Sequence, residues 1–171
     1  MSTIRLTELN ALPRPGFVRV VGPVFEHSPW IAEATWPKRP FSDVKILHAE
    51  LCETVRTAGD EKQLALIGAH PDLVGRLALA GQLTQESNQE QASAGLDRLT
   101  PREIDLFQKQ NAAYHEKFGF PFIICARLNK KEAIIAGFEH RLKNSREQEV
   151  KSALEEVFKI ADLRLRDLIT D

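Results

Sequence analysis

Several features that mark common classes of protein are missing from this sequence. Positive charge is not in excess, because 23 Lys and Arg residues stand against 24 Asp and Glu residues among 171. A nucleic-acid-binding surface normally carries a basic excess, so we expect no nucleic-acid partner. The longest nearly apolar run, residues 119–126, is far too short to span a membrane. The sequence also has no low-complexity stretch of the kind that predicts a disordered tail.

Cysteine and the usual cofactor motifs are equally scarce. Cys52 and Cys125 are too few for a disulfide framework or a zinc site. His48 lies four residues before Cys52, a spacing that can hold half a metal site on a helix, but no third or fourth ligand follows a matching pattern. No glycine-rich phosphate-binding loop, G-x-S-x-G or H-E-x-x-H motif is present. The sequence therefore implies no nucleotide, flavin or metal.

Targeting signals are not evident at either end. The first six residues lack the basic start and apolar core of a signal peptide. The last three residues do not form a peroxisomal tripeptide. We therefore expect a cytoplasmic protein with no membrane partner.

The sequence is rich in apolar residues at the helical period. A helix face is predicted after the N-cap residue Ser42 by apolar residues at i, i+3, i+7 and i+11, which are Val44, Leu47, Leu51 and Val55. Similar patterns predict helices over about residues 6–12, 25–36, 64–67, 101–118, 131–143 and 146–169. Periodicity does not decide whether residues 120–126 form a buried strand or a buried extended loop. We expect an all-α, single-domain bundle over residues 1–171, with about seven or more helices, a long C-terminal helix and at most a trace of strand.

Two capping boxes are predicted at helix N-termini. In the first, Ser87 is followed three residues later by Glu90, and in the second, Thr100 is followed by Glu103. In each box the hydroxyl can accept a bond from a helix N–H, and the glutamate can reach back to the N–H of the cap residue.

His70 is the first candidate for chemistry. It precedes Pro71, and a residue before proline is pushed out of the α region, so His70 should end a helix in extended backbone and project into a cleft. A histidine with a pKa of about 6.5 can exchange a proton at neutral pH. A loop histidine that caps a helix C-terminus is the simpler explanation of this pattern taken alone.

Glu90 and its neighbours are a second candidate. A helix N-terminus presents unpaired N–H groups, so residues 87–91 can form a wall that binds a carboxylate or a ureido group. A carboxylate in that wall can also accept N–H bonds from a urea-like ligand. The capping role of Glu90 is the stronger interpretation from the local pattern.

Arg164 lies close to the apolar stripe of the predicted last helix, three residues after Ala161 and seven after Val157. An arginine is seldom buried without a partner. Its side chain can extend to water, form an internal ion pair, or hold a carboxylate or carbonyl group of a ligand by two N–H bonds. The sequence leaves these three roles open.

Five segments together resemble one family, the 2-oxo-4-hydroxy-4-carboxy-5-ureidoimidazoline (OHCU) decarboxylases of uric acid degradation. The segments occur in the family's order and span roughly residues 5–170. They are A-H-P-D-L-V-G-R at 69–76, S-N-Q-E-Q-A-S-A-G-L-D-R-L at 87–99, N-A-A-Y at 111–114, K-F-G-F-P-F-I-I-C-A-R at 117–127, and residues 160–169. Three positions depart from the family pattern, which are Val74, Arg76 and Asp162.

The resemblance implies a role for each matching residue. His70 matches the catalytic histidine, and Glu90 matches the catalytic carboxylate that faces it. Arg164 matches the substrate-binding arginine. The remaining substrate-binding positions are Pro71, Ser87 and Gln91 and the main chain of Phe122, Ile123, Ile124, Cys125 and Ala126.

The resemblance also implies an all-helical homodimer that needs no cofactor and converts OHCU to (S)-allantoin and carbon dioxide. Two alternatives stay open at this point. One is a decarboxylase or lyase that acts on another ureide. The other is a non-catalytic helical module that binds a partner in purine catabolism.

Overall fold

The computed structural model describes residues 3–75 and 80–170. Their contacts divide them into two compact units, one of residues 3–69 with 158–170 and one of residues 70–157. The described part contains nine α-helices, three short 3₁₀ helices and one pair of two-residue strands. The predicted all-α class with a trace of strand is confirmed. The single domain over residues 1–171 stays a prediction.

The first unit is built from five helices, the end of the last helix and both strands. Its helices are α1 (Leu6–Ala11), α2 (Arg14–Val21), α3 (Trp30–Thr35), α4 (Val44–Arg56) and α5 (Asp60–Gly68). Strand β1 (Ile4–Arg5) pairs in parallel with β2 (Ile169–Thr170). The core of this unit consists of fully buried side chains, among them Leu9, Phe17, Val21, Ile31, Leu47, Leu51, Val55 and Leu66.

The apolar period correctly predicts α4, but its cap is displaced by one residue. Asp43, not Ser42, is the N-cap, and its carboxylate accepts a bond from Ile46 N at 2.9 Å. Asparagine, aspartate and serine cap about equally well, so adjacent candidates differ little in energy. The helix ends at Arg56, and Gly59, three residues later, is the N-cap of α5, with φ of 84°.

Two predictions in the first unit are wrong. The helix expected over residues 25–36 begins only at Trp30, after Pro29. Helix α2 was not expected, because Pro15 and Gly16 fall inside it. Proline is tolerated in the first turn of a helix, where its missing N–H leaves no bond unmade, and burial of Phe17 offsets the cost of the glycine.

The second unit contains α6 (Gln85–Ser93), α7 (Pro101–Phe118), α8 (Lys131–Arg141) and the first half of α9 (Arg146–Leu168). The predicted capping box of α7 is confirmed. Thr100 Oγ1 accepts from Glu103 N at 3.3 Å, and Thr100 N donates to Glu103 Oε2 at 2.8 Å. Helix α7 ends, as predicted, at Gly119 in a left-handed conformation with φ of 79°.

The other predicted capping box is wrong. Helix α6 begins three residues earlier than expected, and Thr84 is its N-cap, accepting from Ser87 N at 3.2 Å. This start places Ser87 and Gln91 on the buried side of the helix, each only 7% exposed. Glu90 therefore lies in the second turn, where no capping role is available to it.

Between α7 and α8 the chain runs as an extended segment without strand pairing over residues 121–125. Phe120, Phe122, Ile123 and Cys125 in or beside it are buried. Phe122 stacks on Phe138 of α8, with ring centroids 3.8 Å apart. Of the two alternatives that the sequence left open, the structure has the buried extended loop.

Helix α9 begins after Ser145, whose Oγ accepts from Gln148 N at 3.2 Å. Of its predicted apolar stripe, Leu154, Val157, Ala161 and Leu165 are buried, whereas the end members Val150 and Leu168 are half-buried. No helix within residues 3–75 or 80–170 has the length and hydropathy to cross a membrane.

Candidate active site

Helix α6 carries three of the predicted site residues on one side. Ser87, Glu90 and Gln91 are spaced at i, i+3 and i+4, so they share a helix face. Ser87 and Gln91 are buried although the helix is polar in composition, and Glu90 is half-buried. A polar side chain is buried only where it is hydrogen-bonded. The helix N-terminus on which the predicted binding wall depended lies at Thr84 instead, so a ligand-binding role for this polar face stays a prediction.

His70 lies in a loop, as predicted. Helix α5 ends at Gly68 and is capped by Ala69, two residues before Pro71. Both His70 and Pro71 are half-buried. The ring of His70 is therefore carried by non-helical backbone, so its orientation depends on what holds the loop.

Three side chains hold the loop that follows His70. Asn111 Nδ2 donates to Leu73 O at 2.8 Å. Gln91 Oε1 accepts from Val74 N at 3.1 Å. His115 Nε2 lies 2.8 Å from Asp72 Oδ1 and donates to that carboxylate. Each of these bonds joins residues far apart in the sequence.

The backbone conformation of the same loop is sterically restricted at two positions. Val74 adopts a positive φ of 53°, which is rare for a β-branched residue and costs free energy. At Gly75, a Cβ atom would lie 2.6 Å from Asp72 Cβ and 3.1 Å from Asp72 O. The buried bonds from Asn111 and Gln91 oppose relaxation of this conformation. Arg76, where the sequence departs from the family pattern, lies outside the described residues.

The extended segment is fixed through its main chain. Arg141 Nη1 donates to Ile123 O at 2.5 Å, and the guanidinium lies 4.5 Å from the ring centroid of Phe122. Cys125 N donates to Glu156 Oε2 at 2.7 Å. The N–H of Cys125 is thus engaged by a carboxylate, whereas the resemblance assigned the main chain here to the substrate. Phe122, Ile123, Cys125 and Ala126 are buried, and Ile124 is half-buried.

Arg141 belongs to a buried polar cluster that the sequence did not reveal. Glu149, which is fully buried, accepts hydrogen bonds from the Tyr114 hydroxyl, from Arg141 Nε at 2.9 Å and from Asn144 Nδ2 at 2.6 Å. Burial and the bond to Glu149 raise the pKa of Tyr114 well above its usual range. The tyrosine therefore stays a neutral hydrogen-bond donor, and the cluster anchors Arg141 against the extended segment.

Electrostatics link α6 to this segment. Burial raises the pKa of the Cys125 thiol, and the negative charges of Glu156 and Glu90 raise it further. The Glu90 carboxylate therefore lies close enough to the thiol for its charge to act there. Lys131 N also donates to Ala94 O at 3.2 Å, just beyond the end of α6. Cys125 itself is buried, and its raised pKa favours the neutral thiol.

Arg164 is in the first unit and is 8% exposed. Its Nη1 lies 3.1 Å from Glu26 Oε2 and 3.4 Å from Val24 O. Of the three roles that the sequence left open, the internal ion pair is therefore present. Asp162, another departure from the family pattern, forms an ion pair with Arg166 Nε at 2.9 Å, which balances its charge within α9.

The possible half metal site is not completed. His48 Nε2 lies 2.8 Å from Phe158 O and 3.3 Å from Cys52 Sγ. Within the described residues no group of three or more His, Cys, Asp or Glu side chains is arranged to hold a metal ion. Cys52 is buried and His48 is half-buried, and both side chains make contacts within the first unit.

Some of the residues that build the site gave little signal in the sequence. Asn111 could have been found from the sequence, because a polar residue within the apolar face of α7 needs a buried partner. Arg141, Glu149 and Glu156 lie at ordinary charged positions of helices, and their partners lie up to 31 residues away. No spacing rule connects such pairs.

Comparison with known proteins identifies the family. The model of the family described as OHCU decarboxylase matches residues 10–166. A protein of Halalkalicoccus jeotgali named 2-oxo-4-hydroxy-4-carboxy-5-ureidoimidazoline decarboxylase is 44% identical over 98% of this chain and 93% of its own length. A protein of Haloferax volcanii with the same name is 41% identical over 98% of this chain and 97% of its own.

A solved structure is also similar to this chain. The crystal structure of an (S)-allantoin synthase superposes with a TM-score of 0.80 at 29% identity, covering 98% of this chain and 54% of that one. This chain therefore spans about half the length of that protein. Because the family model and the relatives cover nearly all of the sequence, the chain belongs to the OHCU decarboxylase family.

Proposed function

We propose that this protein catalyses the decarboxylation of OHCU to (S)-allantoin, without a cofactor, in uric acid degradation. The observation that carries the proposal is the bond from Val74 N to Gln91 Oε1. It ties the loop of His70 to the helix of Glu90, so the two residues that resemble the catalytic pair are carried by directly connected elements. The names of the relatives supply the substrate class.

The chemistry of this substrate explains why protein side chains can catalyse the reaction without a cofactor. One ring carbon of OHCU bears both a carboxylate and a hydroxyl group and lies next to a C=N bond. When the bond to the carboxylate breaks, its electron pair moves toward that C=N bond, and carbon dioxide leaves. The substrate is thus its own electron sink, a task that other decarboxylases give to a cofactor. The protein has to orient the carboxylate and manage protons on one face of the ring.

The roles of the residues follow from their chemistry. We assign acid and base catalysis near the substrate hydroxyl and the departing carboxylate to His70, because an imidazole can both donate and accept a proton. Glu90 orients the ureido group or assists proton delivery. Ser87 and Gln91 supply polar contacts, and a proton added on one face only gives (S)-allantoin.

Arg164 is assigned to substrate binding by its match to the family's arginine. A guanidinium can hold a ring carbonyl or ureido oxygen by two N–H bonds. Its ion pair with Glu26 would hold the guanidinium in one orientation. The remaining lining is assigned to Pro71 and to the main chain of residues 122–126. Within that main chain, the engaged N–H of Cys125 makes its neighbours the better candidates.

Three further properties are proposed, of which the homodimer rests on the resemblance alone. We propose that the protein is a homodimer, which light scattering after size-exclusion chromatography would test by its mass relative to the 19.3 kDa chain. We also propose that it is cytoplasmic and acts as one functional domain. Cell fractionation tests the location.

Replacement of His70 tests the catalytic assignment. We expect His70→Asn to reduce turnover of OHCU, generated in place by urate oxidase and hydroxyisourate hydrolase, to the spontaneous rate. Glu90→Gln should reduce it strongly as well, while both variants keep the circular dichroism spectrum of the wild type. His140→Asn is the matched control, because His140 is an exposed histidine on α8. Near-wild-type turnover in His70→Asn would contradict the assignment.

A further inference from the structure

We propose that Asn111, supported by His115, is a positioning residue for His70 in the reaction. This inference rests on the proposed function, because it takes His70 as the group that acts on the substrate. Asn111 and His115 lie one turn apart on α7 and bond to consecutive residues of the His70 loop. Helix α7 thus acts on the site through the loop backbone, without contact between these side chains and the substrate.

The loop depends on side chains because it has no secondary structure of its own. Residues 70–75 form no helix or strand, and a positive φ at Val74 opposes their conformation. Leu73 O is held by Asn111 at 2.8 Å, and Asp72 is held by His115 at 2.8 Å. Since His70 is joined to these residues through Pro71, whose φ is restricted, displacement of Leu73 and Asp72 displaces His70.

Asn111 also lowers the stability of the fold. It is 6% exposed, and its Oδ1 accepts no hydrogen bond within the described residues. A buried acceptor without a donor is destabilising, so an apolar residue of similar volume would be favoured if only stability mattered. The Nδ2 bond to Leu73 is the contact that such an apolar residue would remove. That contact therefore accounts for an amide at this position.

The neighbouring residue offers a matched control. Gln110 is likewise a buried amide of α7, 8% exposed, and its Oε1 also lacks a partner within the described residues. Unlike Asn111, it makes no hydrogen bond to the described residues of the loop. Asn111→Leu and Gln110→Met both replace a buried amide by an apolar side chain of similar volume. Only the first removes a contact to the His70 loop.

The first experiment compares steady-state kinetics of OHCU turnover. We expect Asn111→Leu to lower kcat about 10- to 100-fold with KM changed by less than about threefold, since a misplaced catalytic group can cost on the order of 100-fold. Gln110→Met should keep the wild-type kcat. Equal kcat in Asn111→Leu and wild type would overturn the inference. So would an equal loss in both variants, which would indicate a general packing defect.

The second measurement does not depend on activity. The ¹H–¹³C signal of the His70 ring, assigned by its disappearance in His70→Asn, should shift in Asn111→Leu and stay in place in Gln110→Met. The signal of His48 in the first unit should stay in place in both and so report an intact fold. An unmoved His70 signal in Asn111→Leu would overturn the inference even if the wild type proved inactive on OHCU. An inactive wild type with a shifted His70 signal would instead contradict only the proposed function.

Variants of His115 test the inference if Asn111→Leu does not fold. Its side chain is 41% exposed, so replacement does not threaten the core. We expect His115→Leu to lower kcat several-fold and His115→Gln, which retains a donor for Asp72, to restore most of the loss. If Asn111→Leu fails to fold and His115→Leu equals the wild type, positioning of His70 by α7 is refuted.

Discussion

Replacement of Glu149 by glutamine should be strongly destabilising, although the two side chains have nearly the same shape. Glu149 is fully buried, and Arg141, its ion-pair partner at 2.9 Å, has a side chain only 11% exposed. Asn144 can rotate its amide to accept from the new amide group, so hydrogen bonds are largely kept. The lost quantity is the charge that compensates the buried guanidinium.

The magnitude follows from that uncompensated charge. Removal of one partner from a buried ion pair costs about 3 to 5 kcal/mol. This is a large share of the roughly 5 to 15 kcal/mol by which a protein is stable. With a urea dependence of about 2 kcal/mol per molar, the unfolding midpoint of Glu149→Gln should fall by about 1.5 to 2.5 M. The assay is urea unfolding followed by circular dichroism.

The same helix supplies the control. Glu147 lies one half-turn earlier, with a side chain 83% exposed and Lys151 at 3.4 Å. An exposed pair of this kind contributes little, so Glu147→Gln should leave the midpoint unchanged. Equal midpoints for Glu149→Gln and the wild type would refute the reasoning that the buried charge matters. Because Arg141 holds Ile123 O, the destabilised variant should also lose turnover.

Two other perturbations have defined outcomes. The pKa of Glu103 is lowered from 4.5 to about 2, chiefly by Lys131. The bonded carboxylate therefore stabilises the fold above about pH 4.5, and this contribution is lost as the pH falls toward 2. The difference in Tm between wild type and Glu103→Gln should narrow over that range. Gly75→Ala should lower both Tm and turnover, because the added Cβ would meet Asp72 at 2.6 Å, whereas Gly68→Ala, with open space around it, should not lower Tm.

Each of these predictions has an opposite result that would count against it. A Tm difference between wild type and Glu103→Gln that stays constant from pH 6 to pH 2.5 would mean that the ion pair does not set the acid stability. Wild-type Tm and turnover in Gly75→Ala would mean that the loop tolerates a side chain at this position. Calorimetry and the OHCU turnover assay provide both readouts.

The local parts of the fold could be predicted from the sequence. Helix α7 begins and ends where Thr100 and Gly119 predict, because a capping box and a left-handed glycine act over only a few residues. The start of α6 could not be predicted in this way. Thr84 and Ser87 are both acceptable caps, and burial of Ser87 and Gln91 decides between them.

The candidate site likewise has a part that could be predicted from the sequence and a part that could not. The place of His70 in a loop could be predicted from the proline that follows it, whereas its assignment to the site, like that of the other site residues, came from a resemblance to known motifs. The bonds that hold its loop were not recognisable. Asn111 and Leu73 are 38 residues apart, and Gln91 and Val74 are 17 apart. Such contacts arise from packing of helices, about which local periodicity carries no information.

The stereochemistry of the product tests the central claim most directly. OHCU is generated in place from uric acid by urate oxidase and hydroxyisourate hydrolase, and circular dichroism is followed at an allantoin band with and without this protein. Spontaneous decay gives racemic allantoin and no signal, so the account predicts a rapid rise of the (S)-allantoin signal only when the protein is present. A folded sample that produces no signal above the spontaneous reaction would contradict the assignment of OHCU decarboxylase activity to this chain.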